Sequence, residues 1–204
     1  EVLLFAAKKK AIEDLVAVLE MAGLVPLFVE TEILALNRAL IYPETSLLVN
    51  IGRENTSLAV VRNQEIKFVY NLSVGGEALT RALMQTFSLE LSQAEEYKRT
   101  YGLQKDKLEG KIAASAKPIM DTIVGEMKRS IAFFEEKYKD QHVETILLSG
   151  GTARLPGMVV YLAEALGFEV QLANPWVGIA KDPRFNVLNT EGPNFCVAVG
   201  LALR

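Results

Sequence analysis

A chain of 204 residues, half of them hydrophobic, is long enough for one large domain or two small lobes and can bury a sizeable core. A net charge of -3 and a pI near 5.4 give no global positive field for nucleic acid or anionic lipid, which leaves proteins and small molecules as the expected partners. One cysteine, Cys196, and one histidine, His142, exclude an intrachain disulfide and a cysteine–histidine metal cluster, and no apolar run reaches the roughly 20 residues of a membrane-spanning helix.

The chain opens on Glu1, not Met, and enters at once an apolar run, Val2 to Ala7, that reads as a strand. Such a start suggests a piece of a longer protein. Ile12, Leu15, Val16 and Leu19 recur at helical spacing until Gly23, and Leu24 to Val29 resumes as a strand. This strand-helix-strand unit is too small to stand alone and is expected to complete a lobe that begins upstream. Lys8-Lys9-Lys10, with acidic residues close behind, reads as a solvated helix start.

Thr31 can cap a helix carrying Ile33, Leu36, Ala39 and Leu40 that ends before Pro43, expected as a bridge between lobes. Leu47 to Val61 then reads as two buried strands joined by a polar tip with Asn50, Gly52 and Thr56. The tip suits either an ordinary hairpin turn or a loop that grips phosphate oxygens through amides and a hydroxyl. A turn at Arg62-Asn63-Gln64-Glu65 leads to a third strand, Ile66 to Leu72.

Gly75-Gly76 precede a helix with Leu79, Leu83, Met84 and Phe87 on one face, whose N-terminus could hold an anion. Ser92-Gln93-Ala94-Glu95 has the form of a capping box starting a short satellite helix. Gln104 to Lys117 reads as a solvated linker or insertion, and Pro118 suits the first turn of a long helix with Ile119, Ile123, Met127, Ile131, Phe134 and Tyr138 facing a core. Val143 to Leu148 is a strand that runs into Ser149-Gly150-Gly151-Thr152 and a helix, the edge on which open α/β sheets bind ligands. Phe168 to Leu172 adds a strand, Ala173 to Pro193 is irregular, and Asn194 to Arg204 closes as a helix. His142 belongs on the surface, Cys196 in the interior, and Trp176 is a loop anchor or a partner contact. No zinc spacing, nucleophile elbow or Walker A motif occurs.

Several ordered segments carry a family resemblance: Ala22-Gly23-Leu24, Ala35-Leu36-Asn37-Arg38-Ala39-Leu40, Val74-Gly75-Gly76-Glu77-Ala78-Leu79-Thr80, Ala94-Glu95-Glu96-Tyr97-Lys98, Leu148 to Gly157, and Ala173-Asn174-Pro175. With the order of elements they resemble the PilM family of type IV pilus assembly proteins, relatives of the FtsA cell-division proteins, over nearly the whole chain. The resemblance implies an α/β fold: an actin-like ATPase (RNase H-like) lobe with a mixed sheet flanked by helices, preceded by the end of an FtsA-like (SHS2-type) subdomain. Residues 1–30 would be the remnant of that subdomain, 31–46 a linking helix and 47–204 the second lobe, with 88–117 as a small helical insertion.

The same resemblance implies ATP with Mg as ligand, with Asn50, Gly52 and Thr56 facing the phosphates, Gly150, Gly151 and Thr152 under the adenosine, and Glu126 and Arg129 toward the ribose or base. Where the family has an aspartate at the end of the first strand, this chain has Asn50, which cannot supply the negative charge that holds a divalent cation or orients a water. At most a weak ATPase is expected. The implied role is a cytoplasmic scaffold, peripheral to the inner membrane, that binds the cytoplasmic tail of a PilN-like protein in response to ATP. Pilus motor ATPases or self-association are further expected contacts, without nucleic acid or direct membrane insertion. A polymerising FtsA-like or cytoskeletal protein and a phosphotransferase on the same fold are the alternatives; a two-metal nuclease would need carboxylates where Asn50 stands.

Overall fold

The hairpin read at Leu47 to Val61 lies at the centre of the sheet. A computed structural model of the chain describes residues 3–43, 45–180, 182, 184, 186 and 188–204. β1 (Thr45–Ile51) pairs antiparallel with β2 (Thr56–Arg62), and β2 with β3 (Glu65–Leu72). Asn63 and Gln64 both have positive φ, 49° and 66°, as a two-residue turn needs to match the twist of its strands. β4 (Thr145–Ser149) runs parallel to β1 and β5 (Glu169–Leu172) parallel to β4, so the mixed sheet is ordered β3-β2-β1-β4-β5.

Every residue of β1 is buried because both faces of the sheet are covered. Leu47, Val49 and Ile51 alternate onto the face under α5 (Lys111–Lys137), with Met120, Ile123, Met127 and Phe134, and α6 (Met158–Leu166) adds Leu162 to that core. Leu48 points to the opposite face, with Ala59, Val61 and Leu147, under α2 (Glu32–Ala39) and α7 (Leu188–Ala202). α3 (Gly76–Phe87) and α4 (Leu91–Tyr101) pack as a pair around Leu83, Ala94 and Ile112.

Ahead of the sheet, α1 (Lys9–Met21) buries no residue, and Leu15, Val18 and Met21 are exposed. Residues 3–7 and Leu24–Val29, expected as strands, carry no strand; Val2 lies outside the described residues. An apolar run becomes a strand only when a neighbour completes its hydrogen-bond ladder, and no described strand pairs with either run. At Glu30 the chain is fixed. Arg38 donates to both oxygens of its carboxylate at 2.7 Å, and Arg204 adds a third bond at 2.7 Å. Arg38 also donates to the Gly200 carbonyl at 2.7 Å, which ties α2 to α7, and Arg204 stacks 4.4 Å from the Phe28 ring centroid.

Other boundaries shift for identifiable reasons. α2, expected as a bridge, is packed on the sheet through Ile33, Leu36 and Ala39. α5 begins at Lys111, with Pro118 well inside, because Ile112 and Ala116 are buried and the segment read as linker supplies two of the cores. The capping box of α4 is built from Glu90 and Gln93, ahead of Ser92. α7 begins at Leu188 within the segment read as irregular, and it encloses Pro193.

Candidate functional site

The Gly52 amide donates to the Asn55 carbonyl at 2.9 Å and closes the tip of the first hairpin. The carbonyls of the tip then meet the start of α3: Gly76 donates to Gly52 O at 2.9 Å and Glu77 to Arg53 O at 2.8 Å. So close an approach requires glycine. A Cβ on Gly75 would lie 2.6 Å from the Arg53 carbonyl oxygen, and one on Gly76 would lie 2.3 Å from Thr152 Oγ1. Thr152 Oγ1 in turn donates to Gly52 O at 3.1 Å, so three loops lock together at the carboxyl end of β1 and β4. The first amides of α3 are spent in this lock, and the anion expected at that helix end finds the Gly76 and Glu77 amides already bonded.

Beside the lock lies a cavity of about 860 Å³. Its walls are the hairpin tip (Gly52, Arg53), α3 (Glu77, Thr80, Arg81), α4 (Glu95, Lys98, Arg99), the 3₁₀ turn Gly151–Arg154 and the start of α7 (Glu191, Asn194). Five cationic side chains face three carboxylates there, a local positive excess in an acidic chain, which suits an anionic ligand. Lys98 Nζ donates to Glu95 Oε1 at 2.7 Å, Thr80 Oγ1 at 2.6 Å and the Gly76 carbonyl at 3.1 Å. Burial pushes the Glu95 carboxyl up, but hydrogen bonds from Lys98 and Thr80, with the charges of Lys98 and Arg99, outweigh it and hold the group below the usual carboxylate range. Glu77 accepts from Arg53 at 3.2 Å and from Arg81 at 2.9 Å, and Glu191 pairs with Arg154 and accepts from Asn194 at 2.8 Å.

Of the residues read from the sequence as the site, Gly52, Gly151 and Thr152 line this cavity. Gly150 stands directly behind, at φ 86°, where a Cβ would lie 2.5 Å from the Ile51 carbonyl oxygen. Thr56 is fully buried and donates its hydroxyl to the Val74 carbonyl at 2.7 Å, so it fixes the strand start and is not turned toward a ligand. Asn50 does not line the cavity: its Nδ2 donates to Glu32 Oε2 at 3.0 Å, and its Oδ1 accepts from Ser149 Oγ at 3.2 Å.

Glu126 and Arg129 do not line it either. They pair with each other on α5, where Arg129 and then Tyr70 of β3 hold the Glu126 carboxyl below its usual range. Charged residues that the sequence did not single out for the site reach the cavity from helices, among them Glu77 and Arg81 of α3 and Glu95, Lys98 and Arg99 of α4. The α4 signal lies in Glu95 to Arg99, where charges at i, i+3 and i+4 share one helix flank.

The resemblance also implies magnesium, and the donors that this chain brings to the cavity do not fit it. Magnesium is held by one or two carboxylates together with phosphate oxygens. Each carboxylate lining the cavity is engaged by a cation of this chain, Asn50 is neutral, and among the described residues no group of three acidic, histidine or cysteine side chains is placed to hold a metal.

A mixed sheet of this order flanked by helices, with a locked hairpin tip and a glycine loop at the end of a parallel strand, has the fold of an actin-like protein. The structure of MreB5 of Spiroplasma citri bound to AMPPNP aligns with a TM-score of 0.68 and 15% identity, covering 97% of this chain and 65% of that one. EutJ from Carboxydothermus hydrogenoformans aligns at 0.67 with 24% identity, over 92% of this chain and 59% of that one. The family is narrower. The model of the type IV pilus assembly protein PilM matches residues 1–204, and the chain belongs to the PilM family. It aligns with the structure of a PilM-PilN type IV pilus biogenesis complex at a TM-score of 0.84 and 34% identity, over 97% of this chain and 58% of that one. The cell division protein FtsA of Streptococcus pneumoniae is 26% identical over 156 residues, 68% of this chain and 34% of FtsA. The chain thus spans little more than half the length of the PilM chain it matches, and a third of that FtsA.

Proposed function

We propose that the chain is the nucleotide-facing lobe of a cytoplasmic scaffold of type IV pilus assembly. It binds ATP in the cavity beside the first hairpin. Closed against a first lobe, the nucleotide presents a groove for the cytoplasmic tail of a PilN-like inner-membrane protein, with residues 1–30 belonging to the FtsA-like subdomain that contributes to that groove. The observation that carries this reading is the three-loop lock at the carboxyl end of β1 and β4, opening on a cavity with an excess of positive charge. The similarity to a PilM-PilN complex supports the partner, and the nucleotide analogue in the MreB5 structure supports the ligand class.

Hydrolysis is weak at most in this reading, because Asn50 carries no charge and both ends of its amide are engaged. ATP turnover by the complete protein should rise in an Asn50→Asp variant; equal rates would remove Asn50 as the cause. ATP at 100 times its dissociation constant should stabilise the complete protein by about 2.7 kcal/mol, and an unchanged melting temperature counts against the site. A labelled tail peptide should bind the complete protein more tightly than this 204-residue chain, and equal affinity would mean that the groove lies outside the FtsA-like subdomain. No helix among the described residues is long and apolar enough to cross a membrane, so in this reading the membrane is reached through the partner.

A further inference from the structure

We propose that this lobe neutralises the phosphates of its nucleotide with arginine, Arg53 foremost, in place of a divalent cation, so that ATP binding persists without magnesium. The inference rests on the nucleotide reading above and specifies its chemistry.

Arg53 follows Gly52 at the hairpin tip, and the bond from Glu77 N to its carbonyl fixes its backbone. Its side chain is 80% exposed and lines the cavity. Only Nε is engaged, by Glu77 at 3.2 Å, and the other guanidinium N–H donors have no partner among the described residues. A planar fork of free donors on a rigid loop is the geometry that binds phosphate in a bidentate way.

The residues of this lobe that could hold a cation are committed elsewhere. Asn50 is neutral and bridges Glu32 and Ser149 behind the loop. Glu77 serves two guanidinium groups, Glu95 an ammonium group and Glu191 a third guanidinium. Drawing any of them onto a metal would leave its cation beside that metal, like charge against like charge. Arginine already supplies the charge a cation would bring, without removing water from a tightly hydrated ion.

The test measures ATP affinity of the complete protein by calorimetry, with magnesium and with excess EDTA. Wild-type affinity should change by less than about three-fold between the two, since no ligand is lost with the metal. Arg53→Ala should weaken binding by about ten-fold or more in both conditions, the order expected of hydrogen bonds to a charged group, and Arg53→Lys should retain part of it. Because Arg53 is exposed, the melting temperatures of its variants should match wild type. A ten-fold loss of wild-type affinity in EDTA would overturn the proposal, as would unchanged affinity in Arg53→Ala. Absence of ATP binding in both conditions would instead overturn the nucleotide reading itself, a different result from metal-dependent binding.

Discussion

At Gly200 a Cβ would lie 1.8 Å from the Ala35 carbonyl oxygen, whereas at Gly125, also inside a helix, it would meet only the Arg129 guanidinium at 3.9 Å. The same substitution therefore has opposite signs at the two positions. Gly200→Ala should cost about 1–3 kcal/mol by overpacking α7 against α2, and Gly125→Ala should gain up to about 1 kcal/mol by removing helix-interior glycine; urea denaturation measures both. Cys196 is buried, donates to the Gly192 carbonyl at 3.3 Å, and burial pushes its thiol up to about 12. It should resist a disulfide reagent at pH 8 until the chain is unfolded. With a folded value of about 12 above the unfolded 9.0, its contribution to stability is lost as pH rises through that interval, because only the unfolded thiol ionises there. The placements of Cys196 and His142, the latter 75% exposed beside Glu135, were legible from their sequence neighbours. Trp176 is the anchor of the two readings, its Nε1 donating to the Leu188 carbonyl at 2.8 Å. What no sequence shows is why Gly75 and Gly76 must be glycine, since the atoms they approach belong to loops 22 and 76 residues away.

Among elements, α2 and α1 carry similar apolar residues and differ in what lies against them. Leu36 of α2 is fully buried between the sheet and α7, so Leu36→Ala should cost about 2–5 kcal/mol, while Leu15→Ala in α1 should fall within about 0.5 kcal/mol of wild type. Both follow from denaturation midpoints of the same chain. The strands β1 to β5 were legible because continuous or alternating apolar runs flanked by turn residues have few other uses. The runs at residues 3–7 and 24–29 have the same composition but no described partner strand, and pairing is not a local property. The start of α5 was hidden for a related reason. Ile112 is the one large apolar residue between Leu108 and Pro118, among charged and small residues, and its contact with α3 and α4 is what that turn of helix buries.

For the whole molecule, the order of elements was enough to read the actin-like fold, yet three of the cavity's eight charged side chains, Glu95, Lys98 and Arg99, sit on α4, which read as a satellite. Distance in sequence concealed how α3 and α4 fold back over the hairpin tip. The Glu30 carboxylate brings together residues separated by most of the chain. Its hydrogen bond from Arg38, followed by the charges of Arg38 and Arg204, outweighs burial and holds it below 4.5. Because that value is lowered on folding, the stability it contributes is present above pH 4.5 and is lost as pH falls through the folded value; Glu30→Gln should flatten this part of the acid limb. Limited proteolysis of this chain should cut between Met21 and Glu30, where nothing is buried, and leave the region from Glu30 onward intact.

The Glu30 clamp also determines how the lobe carries mechanical load. A pull on residues 3–29 enters α2 through the backbone at Thr31, and the Glu30 carboxylate passes part of it to Arg204 just beyond α7, so tension is shared between two helices on one face of the sheet before it reaches β1. Those helices are themselves joined by the Arg38 bond to Gly200 and by their close contact at Ala35. The lobe should therefore yield first at the clamp, swinging the leading segment as a lever while the sheet and the loops around the cavity hold their shape.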